Sequence, residues 1–295
     1  MRVDPNYITN LSASLNQSTN VEQTLTSELS SGLRVASLQD DPVAVAQSTL
    51  LGSSIAKDVT FVQTASNESS RLQVSDSTLG EVVTQVTSAL STAVSGNNGT
   101  LNASNLASVA QALSGIRDQV LSLANTGYQG HYLFGGSQGS TPPFTLDTTT
   151  TPATANYNGD TKLQYVETPS GQKIQVNLPG SSVFGGVLGA LNQLISDFTG
   201  GATSATMTTD TAALTTALGQ LSSQRSTLDS SLSRLQSSST YVQTQEAQLS
   251  VAQSSLVSAD PTAVATQLSQ AETQHQALLS VISALGSSNL FSLMK

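Results

Sequence analysis

The side chains able to do bond-making chemistry are few and stand apart. Asp40 and Asp41 are adjacent carboxylates, and Pro42 follows them directly. A carboxylate pair can act in acid–base catalysis, but a pair set just before a proline fits a simpler use. Pro is favoured at the first position of a helix, and an Asp before it caps the free backbone N–H groups. His131 and His275 are the two histidines, far apart in sequence and without neighbours at metal-ligand spacing. There is no cysteine, so disulfides, thiolate nucleophiles and thiolate metal sites are excluded. No Gly-x-Ser-x-Gly elbow and no phosphate loop is present. Catalytic, cofactor-binding and metal-binding residues are therefore expected to be absent. Asn98-Gly99-Thr100 and Asn102-Ala103-Ser104 match the N-glycosylation pattern, as chance alone provides in a chain this rich in Ser and Thr.

Composition points to packing between helices. Among 295 residues, 37% are hydrophobic and only 4% aromatic, with no Trp. Large cores draw much of their buried area from aromatic rings, whereas Leu, Val and Ala suit narrow helix seams. The formal net charge is −9, from 19 acidic and 10 basic residues, and the basic ones are scattered. Nucleic acid requires clustered positive charge, so no nucleic-acid partner is expected. No apolar run reaches the ~20 residues that cross a bilayer, and the N-terminal stretch lacks the apolar centre of a secretory signal. Neither membrane insertion nor a cleaved signal peptide is expected.

Periodicity sets out the elements. Ile8, Leu11, Leu15, Ser18, Glu22, Leu25 and Leu29 recur at alternating three and four, a narrow helical seam with polar residues in its middle. It ends at Ser30-Ser31-Gly32. A second helix is expected from Pro42 to about Val94, with Leu72, Leu79, Val86 and Ala93 at sevens. A third carries Leu106, Val109, Leu113, Ile116, Val120 and Leu123. After Asn125 the pattern changes to glycines around Tyr128, Tyr132, Leu133 and Phe134, which reads as strands and turns. Tyr157-Asn158-Gly159-Asp160 signals a turn, while Leu163, Tyr165, Ile174, Val176 and Leu178 alternate as in strands. A short helix is expected over 183–198 and a linker over 200–210. Then Leu214, Leu221, Leu228, Leu235, Val242, Leu249 and Leu256 recur every seven residues. A helix over 211–258 would be about 70 Å long. Asp260-Pro261 restarts the helix, and Val264, Leu268, Ala271, His275, Leu278, Ile282 and Leu285 continue the rhythm.

The expected fold is mainly α with a small β insert. Both termini form a long antiparallel helix bundle, a rod with a β-rich mid-chain domain. The domains divide as 1–41 with 259–295, a terminal coiled-coil assembly domain; 42–139 with 205–258, a helical rod; and 140–204, the β-rich insert. A seam this narrow cannot supply a core by itself, so the terminal helices should gain order from neighbours. Ile8, Leu11, Leu15, Leu25, Leu29, Arg34, Leu268, Leu278 and Ile282 are the candidate assembly contacts. An apolar seam does not name its partner, so an internal core remains the alternative for each leucine and isoleucine, and a solvated charge the alternative for Arg34.

Ser30-Ser31-Gly32-Leu33-Arg34-Val35 and Asp40-Asp41-Pro42-Val43-Ala44 resemble the N-terminal signature of bacterial flagellins and their relatives. Further stretches are similar, in order, to the hook–filament junction proteins of that family. They are Ala124-Asn125-Thr126, the Gly130 to Gly136 segment, Pro143-Phe144, Tyr157 to Asp160, and Asn177 to Gly180 with Val183-Phe184. The region from Asp260 to Leu285 and Asn289-Leu290-Phe291 are similar as well, whereas Leu38-Gln39 replace the Pro-Ser usual before Asp-Asp-Pro. The resemblance implies a structural, extracellular subunit of the flagellum, exported unfolded by the flagellar type III system. It implies contacts with the hook-side junction protein, flagellin and copies of itself, and an export chaperone at the C-terminal helix. Flagellin itself, or a coiled-coil secretion-tip protein, is the alternative.

Overall fold

The computed structural model describes residues 5–97 and 102–293, with side chains for 9–97 and 102–284. The Asn98-Gly99-Thr100 sequon and Met294-Lys295 lie outside the described residues, as do the side chains of Ile8, Leu285 and Asn289-Leu290-Phe291. In chain order the elements are α1 (Pro5–Ser31), α2 (Pro42–Gly96), α3 (Ala103–Ala124), β1 (Gly127–Tyr128), β2 (His131–Tyr132), β3 (Phe144–Asp147), β4 (Thr154–Tyr157), β5 (Tyr165–Glu167), β6 (Lys173–Gln175), α4 (Gly180–Gly200), α5 (Ser204–Val257) and α6 (Pro261–Leu293). The molecule is mainly helical, with small mid-chain hairpins. It divides into two compact units: Met1–Ala56 with Glu246–Lys295, and Lys57–Gln245.

Lys57–Gln245 holds the larger core. Leu72, Leu79, Val86 and Ala93 of α2 are buried, as the spacing of seven predicts, and so are Leu214, Leu221, Leu228, Leu235 and Val242 of α5. Asp76 meets Arg225, and Asn97 meets Ser204 and Thr208. Later positions on α2 thus meet earlier ones on α5, so the two helices run antiparallel here. Both helices are crowded with hydroxyls that could compete for the backbone. Many are satisfied within the helix, as in Thr84 and Thr87, which donate to the carbonyls of Gly80 and Val83.

α3 packs on α4, burying Leu113 and Val120 against a face that includes Leu188, Leu191 and Leu194. The Asn102 side chain caps α3 by accepting from the Asn105 amide, so this sequon asparagine already has a structural task. Among the described residues the strands form three two-stranded antiparallel sheets, β1–β2, β3–β4 and β5–β6. The few aromatics are concentrated beside them. Phe134 stands edge-on to Phe184 at 4.8 Å, and Phe144 lies 5.8 Å from Phe184 and 5.1 Å from Tyr157.

Two sequence expectations need correction. α5 begins at Ser204, inside the stretch expected to be a linker. The Thr203 hydroxyl accepts from the Thr206 amide, and Met207, only 3% exposed, anchors the first turn. The alternation read from Leu163 and Tyr165 is out of phase by one residue. The register pairs Val166 with Ile174, both buried, and leaves Leu163 and Tyr165 exposed. The expected buried positions Ile174, Val176 and Leu178 do face the core.

In the unit Met1–Ala56 with Glu246–Lys295, α1 pairs with α6. Leu25 packs with Val264, Ala271, Leu268 and Ala259, while Glu22 faces His275 at 3.6 Å. Moving back along α1 from residue 25 to 22 moves forward along α6, so this pair is antiparallel too. The apolar cluster is small, and its seam carries an acid and a histidine where a leucine could stand.

Candidate assembly surface

The residues of the Ser-Gly-Leu-Arg and Asp-Asp-Pro stretches build a clasp at the end of α5. A helix leaves its last carbonyls without internal partners. Here the chain after α1 supplies donors. The Arg34 and Val35 amides donate to the Val257 carbonyl at 2.8 and 3.3 Å, and Arg34 Nη2 donates to the Leu256 carbonyl at 2.9 Å. A guanidinium there also opposes the negative end of the helix dipole. Gly32 makes the turn possible with φ +70°, a conformation that suits glycine, and its carbonyl accepts from the Ala259 amide.

The two aspartates divide the work on the other side of the clasp. Asp40 Oδ2 accepts from the Ser37 and Ala36 amides at 2.7 and 3.0 Å, and those backbone donors hold its carboxyl below the usual range. Asp41 Oδ1 accepts from the Val43 and Ala44 amides, capping α2, as the order Asp-Pro predicts. Arg34 Nη1 reaches Asp41 at 3.7 Å. The carboxylates thus serve the turn and the cap. Among the described residues no group of three or more acids or histidines is placed to hold a metal ion.

The predicted assembly residues fall into three sets. Leu25 and Leu268 are brought together inside the α1–α6 pair. Leu11, Leu15, Leu278 and Ile282 are half-buried on the same helices, and Leu29 is exposed. Arg34 belongs to the clasp. The sequence reading missed a second group. Leu38, Val43 and Leu50 are 64%, 65% and 71% exposed, and Val251 is 70% exposed. Val43 and Leu50 are seven apart on α2, a spacing that marks one helix face and could have revealed them. A groove of about 740 Å³ also runs between α1 and the clasp, bordered by Gln23, Thr24, Leu33, Arg34 and Asp40.

The Tyr-Leu-Phe-Gly-Gly and Tyr-Asn-Gly-Asp stretches lock onto each other. The Tyr157 hydroxyl lies between the Phe134 and Asp160 carbonyls, at 3.0 and 2.8 Å, and its one proton is shared between them. Asp160 accepts from the Ser137 amide and hydroxyl and from the Lys162 amide, which hold its carboxyl below the usual range. Gly136 has φ +71°, and a Cβ there would strike the Asp160 carbonyl. Leu133 and Phe134 are buried, so they serve the core of this unit rather than a binding face.

Comparison with known proteins agrees with this architecture. Residues 6–139 match the bacterial flagellin N-terminal helical region, and residues 211–294 match the C-terminal helical region. Flagellar hook-associated protein 3 of Salmonella typhimurium is 30% identical over 161 residues, 54% of this chain and 49% of that protein. Its Escherichia coli counterpart is 34% identical over 118 residues, 40% of this chain and 37% of that protein. The matched stretches thus span about half or less of these curated relatives. Solved structures share the fold. A flagellar hook-associated protein from Vibrio parahaemolyticus has a TM-score of 0.66 at 18% identity, covering 74% of this chain and all of that one. FlgL from Xanthomonas campestris has 0.60 at 15%, covering 69% and 98%. With the helical regions of flagellin matched on both sides of the β hairpins, and their two ends clasped as one antiparallel pair, the chain belongs to the bacterial flagellin family.

Proposed function

We propose that this chain is a structural, non-enzymatic subunit of the bacterial flagellum, seated between hook and filament. The observation that carries the reading is the similarity to hook-associated protein 3 in sequence, with that to FlgL in fold beside it. A thin terminal helix pair beside a row of exposed apolar side chains supports it. No helix among the described residues is long and apolar enough to cross a membrane. The subunit works by repeating heterologous contacts around a tube, with other flagellar subunits on either side. Its neighbours are the hook-side junction protein, flagellin and copies of itself. It leaves the cell unfolded through the flagellar type III system, with an export chaperone on its C-terminal helix.

The contact residues follow from what is already used inside the chain. Leu25 and Leu268 hold the α1–α6 pair, and Arg34 holds the clasp. Leu11, Leu15, Leu29, Leu278 and Ile282 are left to meet neighbouring helices, together with Val43 and Leu50, and Ile8 joins them on its place in the sequence period alone. Deleting the gene should give cells with hooks, no attached filaments, and flagellin shed into the medium; normal filaments would defeat the reading. The double variant Val43→Asp/Leu50→Asp should keep its helicity by circular dichroism yet fail to restore filament attachment to the deletion strain. Full restoration would remove this face from the assembly.

A further inference from the structure

Within Lys57–Gln245 a groove of about 420 Å³ runs between the β5–β6 hairpin and α5. Its border includes Tyr165, Lys173 and Gln175 from the hairpin and Ser230, Ser231 and Arg234 from α5. The hairpin register explains the first three. Val166 and Ile174 turn inward, so Tyr165, Lys173 and Gln175 share the opposite face. Tyr165 is 52% exposed, an open aromatic face on a chain with few of them.

The charges are unusual for this molecule. Acidic residues outnumber basic ones by 19 to 10. Arg34, Arg71, Arg117 and Arg225 are each committed to an ion pair. Lys173 and Arg234 make no ion pair and no side-chain hydrogen bond among the described residues, and they border the same groove. Glu167 stands opposite Lys173 in the strand register but is not among the residues bordering the groove. Ser231 is only 8% exposed and borders the same groove.

The geometry points to a binding site for an acidic saccharide, one bearing carboxylate or sulfate groups. The two cations would meet the anionic groups, and the open ring of Tyr165 would lie against a sugar face. Ser230, Ser231 and Gln175 would bond the hydroxyls. The volume is within the usual range for small-ligand sites. The groove lacks the apolar hole that anchors a protein hot spot, which favours a hydroxyl-rich ligand over an acidic peptide.

Calorimetric titration of the full chain tests this, with oligogalacturonate as the probe and neutral maltooligosaccharide and polyglutamate as comparisons. Saturable binding of the uronate alone is expected. Lys173→Gln/Arg234→Gln should weaken it by about tenfold or more. Tyr165→Ala should weaken it while Tyr165→Phe does not, and Lys57→Gln should change nothing. All these positions are at the surface, and circular dichroism checks that each variant is folded. Absence of saturation overturns the proposal. So does polyglutamate binding as tightly as the uronate, or affinity unchanged in the double variant.

Discussion

The two compact units of this chain solve the same problem with different amounts of buried surface. Lys57–Gln245 gathers Phe134, Phe144, Phe184 and Phe198 with two leucine ladders into one continuous core. The terminal unit relies on Leu25, Val264 and Ala271, with Ala259 and Leu268 beside them. Its seam is interrupted by Ser18 and by the Glu22–His275 pair. Burial of apolar area dominates folding, so the first unit carries its own stability and the second has little to spare. A terminal pair of this kind can be firm in an assembly and loose before it, which suits the export and assembly proposed above.

Substitution in the two cores is the strongest test of that contrast. Phe184 is fully buried and meets two other rings. Phe184→Ala should cost about 3–5 kcal/mol in urea unfolding. Leu25→Ala removes the largest member of a small cluster and should cost about 2 kcal/mol or less. Equal losses would end the distinction. Hydrogen exchange sharpens it without mutation. Amides of α1 and α6 in the isolated chain should exchange at least about a hundredfold faster than those of α3 and α4, since opening free energies differ between such units. Uniform protection along the chain would show the terminal pair to be self-sufficient.

Much of this contrast is legible in the sequence, because it rests on period. The sevens from Leu214 to Val242 name the buried face of α5, and the sevens from Leu72 to Ala93 name that of α2. The polar interruptions in the first seam announce the thin cluster. What was not legible depends on contacts far apart in the chain. Nothing in the local sequence says that Arg34 bonds the carbonyl of Leu256. The phase of β5 is set by the pairing of Val166 with Ile174, which puts Val166 inside and Tyr165 at the surface. Val43 and Leu50 lie outside the buried seams, so the period of those seams does not point to them. The apolar residues left outside are the ones the proposed assembly would use.

The clasp gives a smaller effect and a way to ask whether the terminal unit depends on it. Asp41→Ala removes the acceptor for the Val43 and Ala44 amides and should cost about 1 kcal/mol. Arg34→Ala leaves the Leu256 carbonyl without its side-chain donor, although the backbone donors to Val257 remain. It should cost about 1 kcal/mol as well. In both variants faster exchange should be confined to amides near the clasp and on α1 and α6, with α3 and α4 unchanged. Loosening of α3 and α4 would mean that the two units unfold together.

The smallest expected effect is a dependence on pH within the larger unit. Asp210, in α5, faces Asp197 of α4, whose carboxylate accepts from Gln193 Nε2. Burial, followed by sharing of a proton with Asp197 and by the Asp197 charge, raises the Asp210 carboxyl from 3.8 to about 6. The folded chain therefore holds this proton more tightly than the unfolded chain. The resulting stabilisation is complete below pH 3.8 and is lost as pH rises through about 6. Asp40, Asp147 and Asp160 are shifted the other way by hydrogen-bond donors, and their contribution is lost as pH falls below the ordinary carboxylate range. The windows differ, so a single variant separates them. Asp210→Asn keeps an N–H donor toward Asp197 and has no proton to lose. It should match the parent chain in thermal unfolding near pH 4 and exceed it at pH 8, by an amount reduced because the pair is partly exposed. An equal difference at both pH values would show that the two carboxylates do not share a proton.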